Sequence, residues 1–84
     1  MKSVKVYTTT RCGYCVALKA LLNSKKIAFE EIDVSDDDEK RDWLVRATGQ
    51  RTVPQMFVDD VSYGGYVDIR ALDKKGELDA VIGR

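Results

Sequence analysis

The sequence predicts an α/β fold built on a four-stranded mixed sheet with helices on both faces. Three patterns predict it. A strand pattern, a helical pattern and a second strand pattern follow one another in the first 34 residues. A paired strand signal broken by a turn follows Pro54. Helical spacing fills the stretches before and after that pair.

Ser3 to Tyr7 (SVKVY) alternates and is rich in Val and Tyr, so it reads as a strand. Thr8 to Cys12 reads as a connection. From Gly13 onward Cys15, Leu18 and Leu22 fall at helical spacing, joined by Leu21, and Asn23-Ser24 marks the end. Ile27 to Val34 alternates again with a slip at Glu30-Glu31, which predicts a second strand. A βαβ unit implies parallel pairing through a right-handed crossover.

SDDDEKRDWLVRATG, residues 35 to 49, predicts a second helix. Ser35 or Asp36 is its expected N-cap, with Asp38 or Glu39 completing a capping box. The acidic run suits the positive end of a helix dipole. Trp43, Leu44 and Ala47 are the expected buried stripe, and Gly49 the stop. Gln55 to Val58, an Asp59-Asp60 turn and Val61 to Tyr63 predict a hairpin, which Gly64-Gly65 ends. Asp68 is the expected cap of a third helix running through Leu72 and Lys75 to Gly76. ELDAVI adds a last helical turn. The predicted order is βαβαββα, a single domain over residues 1–84.

Fourteen basic and fourteen acidic residues cancel. That balance argues against nucleic acid or an anionic membrane held by bulk charge. The longest apolar run, Cys15 to Leu18, is far short of the about 18 residues a membrane span needs. MKSVKVY enters a strand pattern at once, without an apolar stretch of signal-peptide length. The expected location is the cytoplasm or an organelle matrix.

Cys12 and Cys15 are the only cysteines, and there is no histidine. A tetrahedral zinc site needs four ligands, so this pair cannot complete one in a monomer. A bond closing so short a loop restricts the unfolded chain little, so bracing explains the pair poorly. Redox exchange needs only the two thiols. Residues three apart on a helix are neighbours, and a disulfide needs Cα atoms about 4.4–6.8 Å apart. Cys12 at the helix mouth meets unpaired N–H groups that favour an anion. Arg11 adds a cation. Such settings lower a cysteine from about 8.5 to about 3.5–7.5. Cys12 is therefore the expected nucleophile and Cys15 the resolving thiol.

With CGYC at 12–15, TVPQMFV at 52–58 and GG followed by Asp68, the sequence resembles a small dithiol glutaredoxin over nearly its whole length. The resemblance implies a thioredoxin fold and a glutathione-dependent thiol–disulfide oxidoreductase. It implies a cis Pro54 facing Cys12, with the Val53 backbone pairing to glutathione's cysteine residue after Thr52. It places the γ-glutamyl end on the backbone of Val67 and Asp68 beyond Gly65, with the Asp68 side chain toward the ammonium. It places the glycyl carboxylate near Arg41 and Arg51, and Tyr14 beside the thiol. The implied partners are glutathione and glutathionylated or disulfide-bonded proteins, with the protein itself a monomer.

Two positions depart from the commonest family pattern. Thr9 stands where many relatives carry lysine, and Gly13 where proline is commonest. Some relatives with a small residue at the second position bind a [2Fe–2S] cluster between two protomers, with glutathione sulfurs as ligands. That makes a Cys12-ligated cluster dimer the main alternative. A thioredoxin-like electron donor to one reductase is the other.

Overall fold

The computed structural model describes residues 1–84, all of the sequence. The chain runs β1 (Val4–Thr8), α1 (Gly13–Ser24), β2 (Glu30–Asp33), α2 (Asp38–Thr48), β3 (Gln55–Val58), β4 (Val61–Gly64), α3 (Tyr66–Lys74) and α4 (Leu78–Val81). The sheet order is β2-β1-β3-β4. β1 pairs parallel to β2, with Tyr7 opposite Ile32, and antiparallel to β3, with Tyr7 opposite Gln55. β3 and β4 form the antiparallel hairpin. Its Asp59-Asp60 turn takes positive φ at both residues, the geometry that matches strand twist. The expected four-stranded mixed sheet is thus the sheet observed.

Alternation along the strands sends residues to two cores. Val4, Val6, Met56 and Val58 meet Leu18, Leu22, Ile69, Leu78 and Ile82 from α1, α3 and the α4 segment. Tyr7 and Phe57 point the other way, to Val34 and the α2 residue Leu44. Helices therefore cover both faces, and β1 and β3 are buried between them.

The second strand is shorter than the sequence pattern suggested. Only Glu30–Asp33 pairs, and Ile27 instead bonds back to the end of α1, its N–H donating to Leu22 O at 2.9 Å. The slip at Glu30-Glu31 is a change of face. Ile27 and Phe29 serve the larger core, whereas Ile32 and Val34 serve the smaller one. Glu31 stays on the first face, where Thr8 Oγ1 and Lys19 Nζ each donate to Oε2 at 2.9 Å. Those two donors hold its carboxyl below the usual glutamate range.

α2 also differs from expectation. Asp37, rather than Ser35 or Asp36, is the N-cap, and its carboxylate accepts the Lys40 N–H at 2.9 Å. The expected capping box does not form. Gly49 does end the helix, at φ 72°. Leu44 is its one buried residue, while Trp43 and Ala47 are exposed. The reason is the aromatic floor beneath. Trp43 lies across Phe57 with ring centroids 5.6 Å apart, and Tyr7 fills the remaining space. A single leucine then suffices to seat the helix.

Asp68 is the third helix's third residue, not its cap. Gly65 holds the cap position, and the Asp68 carboxylate reaches back to the Gly65 N–H at 3.0 Å. An acid at that position satisfies one of the orphan donors of the helix start.

Candidate active site

Cys12 caps α1 with its sulfur. The Cys15 N–H donates to Cys12 Sγ at 3.0 Å. The two cysteines are joined in a disulfide, with Cα atoms 5.2 Å apart. Cys15 is 2% exposed, and Cys12 is half-buried. The pair is thus unequal as its placement predicts: Cys12 is partly exposed and Cys15 is sealed under the helix. A thiolate at position 12 would keep the N–H donor and the dipole behind it, both of which favour the anion.

The Val53–Pro54 peptide is cis, as the resemblance implies. Pro54 is buried, and the Val53 carbonyl oxygen lies 3.5 Å from Cys12 Sγ. Two cavities meet at this loop. One, of about 310 Å³, is lined by Thr9, Arg41, Asp42, Leu44, Val45, Gln50, Arg51, Thr52 and Val53. The other, of about 240 Å³, is lined by Tyr14, Gln50, Thr52, Val53, Pro54, Gly65, Tyr66, Val67 and Asp68. They share Gln50, Thr52 and Val53, so they form one groove with the Cys12 sulfur beside its middle.

The ends of the groove differ in chemistry. At one end stand Arg41 and Arg51. Arg41 is partly engaged, donating to the Asp38 carboxylate and to Ser35 O at 3.2 Å. Arg51 is exposed and has no partner within the chain. At the other end the first helical bond of α3 is Ile69 N–H to Gly65 O, so the Val67 and Asp68 N–H groups precede the ladder and have no intrahelical acceptor. Gly64, at φ 94°, has no space for a Cβ, because the Asp68 carboxylate fills it. A Cβ on Gly65 would press on the Pro54 carbonyl oxygen at 3.1 Å. These glycines let the α3 turn close on the cis-proline loop.

Of the residues singled out in the sequence, the groove gathers Tyr14, Arg41, Arg51, Thr52, Val53, Pro54, Gly65, Val67 and Asp68. Cys12 and Cys15 lie beside the groove rather than in its lining. Arg11 is not part of it, being exposed and lining neither cavity. Six lining residues carry no site assignment from the sequence: Thr9, Asp42, Leu44, Val45, Gln50 and Tyr66. Thr9 was noted only as a departure from the family pattern. Gln50 lines both cavities, and Gln55 Nε2 donates to Gln50 Oε1 at 2.9 Å and to Thr52 O at 2.9 Å. Tyr66 lies 5.9 Å from Tyr14, ring to ring. The signal for Tyr66 was its place next to the glycine pair, at the start of a helix. No three His, Cys, Asp or Glu side chains come together as metal ligands.

The glutaredoxin family model matches residues 4–63, from β1 into β4. The chain belongs to the glutaredoxin family. It is 40% identical over 82 residues to glutaredoxin 3 of Escherichia coli K12, covering 98% of this chain and 99% of that one. Glutaredoxin 1 of Rickettsia conorii is 39% identical over 84 residues, with 98% and 82% covered. Among solved structures, the Brucella melitensis glutaredoxin is 40% identical with a TM-score of 0.88, over 100% of this chain and 94% of that one. A buckwheat glutaredoxin–glutathione complex is 26% identical with a TM-score of 0.89, over 98% and 77%. The glutaredoxin is therefore a thioredoxin-fold thiol–disulfide oxidoreductase whose CGYC pair is its redox centre.

Proposed function

We propose that this glutaredoxin reduces protein–glutathione mixed disulfides and protein disulfides, with glutathione seated in the groove beside Cys12. The observation that carries the reading is the groove's polarity. Arginines stand at one end, an acid and free helix N–H groups at the other, and the sulfur lies between. Glutathione is a linear tripeptide with a carboxylate at one end, an amino-acid group at the other and a thiol between. The relative solved with glutathione bound supports the same occupant.

Arg51 and Arg41 take the glycyl carboxylate. The Val53 backbone pairs with the central residue as a short strand. The Val67 and Asp68 N–H groups take the γ-glutamyl carboxylate. Asp68 Oδ2 is used by Gly65, leaving Oδ1 for the ammonium. Tyr14 flanks the thiol.

The Cys12 thiolate attacks the glutathionyl sulfur of the mixed disulfide. The new bond is Cys12–S–glutathione, and the protein thiolate leaves and takes a proton. A second glutathione thiolate attacks this adduct, regenerating the Cys12 thiolate and releasing oxidised glutathione. With a protein disulfide, Cys12 forms the mixed disulfide and the Cys15 thiolate displaces the protein. The product is the Cys12–Cys15 bond, and two glutathione molecules reduce it. The reducing setting this requires fits a cytoplasmic or matrix location, with the protein acting as a monomer.

A second use of the same thiolate is as a ligand of a [2Fe–2S] cluster shared between two chains and two glutathione sulfurs. Gly13 keeps that use open, since nothing lies within 4 Å of where a Cβ there would sit. A brown, Cys12-dependent dimer after anaerobic reconstitution supports that use, and a colourless monomer contradicts it.

The deciding experiment is a glutathione-coupled assay on both cysteine variants. Cys12→Ser should abolish turnover of a mixed disulfide. Cys15→Ser should retain it and lose reduction of protein disulfides. Equal loss in both variants contradicts the assignment.

A further inference from the structure

We propose that the polypeptide half of the substrate docks across α1 and the outer face of α3, and that the favoured segment pairs an apolar or aromatic residue near its cysteine with acidic residues beyond. The proposal rests on the mixed-disulfide reading above. If glutathione fills the groove, the departing polypeptide must lie outside it, and the surface that adjoins both the groove and Gly13 is that of α1 and α3.

The surface on that side has two zones. Next to Cys12, a hollow of about 420 Å³ is lined by Gly13, Tyr14, Ala17 and Tyr66. Tyr14 is 63% exposed and Val67 69% exposed, so the apolar surface continues over the α3 start. The hollow is continuous with the groove, because Tyr14 and Tyr66 line both. Beyond it, Tyr66, Val67, Arg70, Ala71 and Lys74 line a second depression of about 220 Å³. Tyr66, Arg70 and Lys74 stand one helical turn apart on one face.

That face carries positive charge without internal compensation. Neither Arg70 nor Lys74 joins an ion pair. The helix's own acids are turned away, Asp68 to the Gly65 N–H and Asp73 to Lys25. In a chain of zero net charge, two free cations beside an apolar hollow define a local sign. An acidic segment whose apolar residue fills the hollow matches both zones.

The test uses single-cysteine peptides as mixed disulfides with glutathione. One carries phenylalanine beside the cysteine and glutamates beyond it, one carries lysines in place of the glutamates, and one carries glycine in place of the phenylalanine. Cysteine–glutathione disulfide is the small reference. At low salt the glutamate peptide should exceed the lysine peptide in kcat/KM by about fivefold, the size of two exposed ion pairs. The gap should close as salt rises. Arg70→Glu with Lys74→Glu should reverse the preference and leave the small reference unchanged. The glycine peptide should be poorer, and Ala17→Gln, which fills the hollow, should remove that difference. Equal rates for the glutamate and lysine peptides, or a preference surviving charge reversal, would overturn the docking proposal alone. Failure to turn over the small reference would overturn the functional reading beneath it.

Discussion

The Asp68 carboxylate accepts the Gly65 N–H at 3.0 Å and occupies the space that a side chain on Gly64 would need. One carboxylate therefore shapes the α3 turn and faces the groove. Asp68→Asn keeps a hydrogen-bond acceptor for Gly65 but loses the charge. It should raise KM for glutathione about tenfold, the worth of one charge-assisted bond, with little change in thermal stability. Asp68→Ala should lower both affinity and stability. Initial-rate kinetics beside thermal melts separate the two, and an unchanged KM in Asp68→Asn would contradict the ammonium contact.

Gly64→Ala should be worse than either. It puts a side chain at φ 94°, against the Asp68 carboxylate. Left-handed backbone alone costs about 1–2 kcal/mol, and the collision adds to it. Chemical denaturation should show the loss, and a variant as stable as the parent would mean the turn can rearrange freely.

Arg51 has no partner within the chain, whereas Arg41 is already engaged by Asp38 and the Ser35 carbonyl. Arg51→Ala should therefore raise KM for glutathione more than Arg41→Ala does, by about fivefold or more, with kcat little altered. The reverse order would show that Arg41 leaves Asp38 on binding and carries the carboxylate itself.

Leu44 is the only buried residue of α2, and α2 carries Arg41 to the groove. Leu44→Ala should cost about 2–3 kcal/mol by removing core contacts. It should also raise KM, because the arginine end of the groove loses its seat. A variant with near-parental stability would mean that Trp43 alone anchors the helix.

Acid should weaken one tie between β2 and α1. Lys19 and Thr8 hold Glu31 below its ordinary range, so folding is favoured while the carboxylate is charged. This contribution is complete above the unfolded value of about 4.3 and is lost as pH falls through the lower folded value. The urea midpoint of the parent should fall toward that of Glu31→Gln as pH drops from about 6 to about 3. A constant gap across that range would show that the carboxylate's charge is not what the pair contributes.

Periodicity made the sheet and most helices legible, because Val4 and Val6 or Leu18 and Leu22 report a single face each. It misread β2, where Phe29 and Ile32 serve opposite faces, a change that looks like a register slip along one strand. It also misread α2, where Trp43 has an apolar ring yet stays 40% exposed by lying over the edge of an aromatic floor. The two thiols and their inequality followed from helix geometry alone. The groove did not, since its walls come from four separate segments whose approach only the folded chain sets. Gln50 stayed hidden because a glutamine in a loop carries no pattern, and its orientation comes from Gln55 beneath it. Arg11 lines neither cavity, since closeness in sequence to Cys12 does not set the direction of a long side chain.

Every exchange step begins from a sulfur anion at position 12. Its most direct test is an ultraviolet thiolate titration of the reduced Cys15→Ser variant, in which Cys12 is the only thiol and the backbone donor at residue 15 is retained. Its midpoint should lie below about 7.5, within the range of thiols at helix N-termini. A midpoint near the unperturbed value of about 8.5 would contradict it.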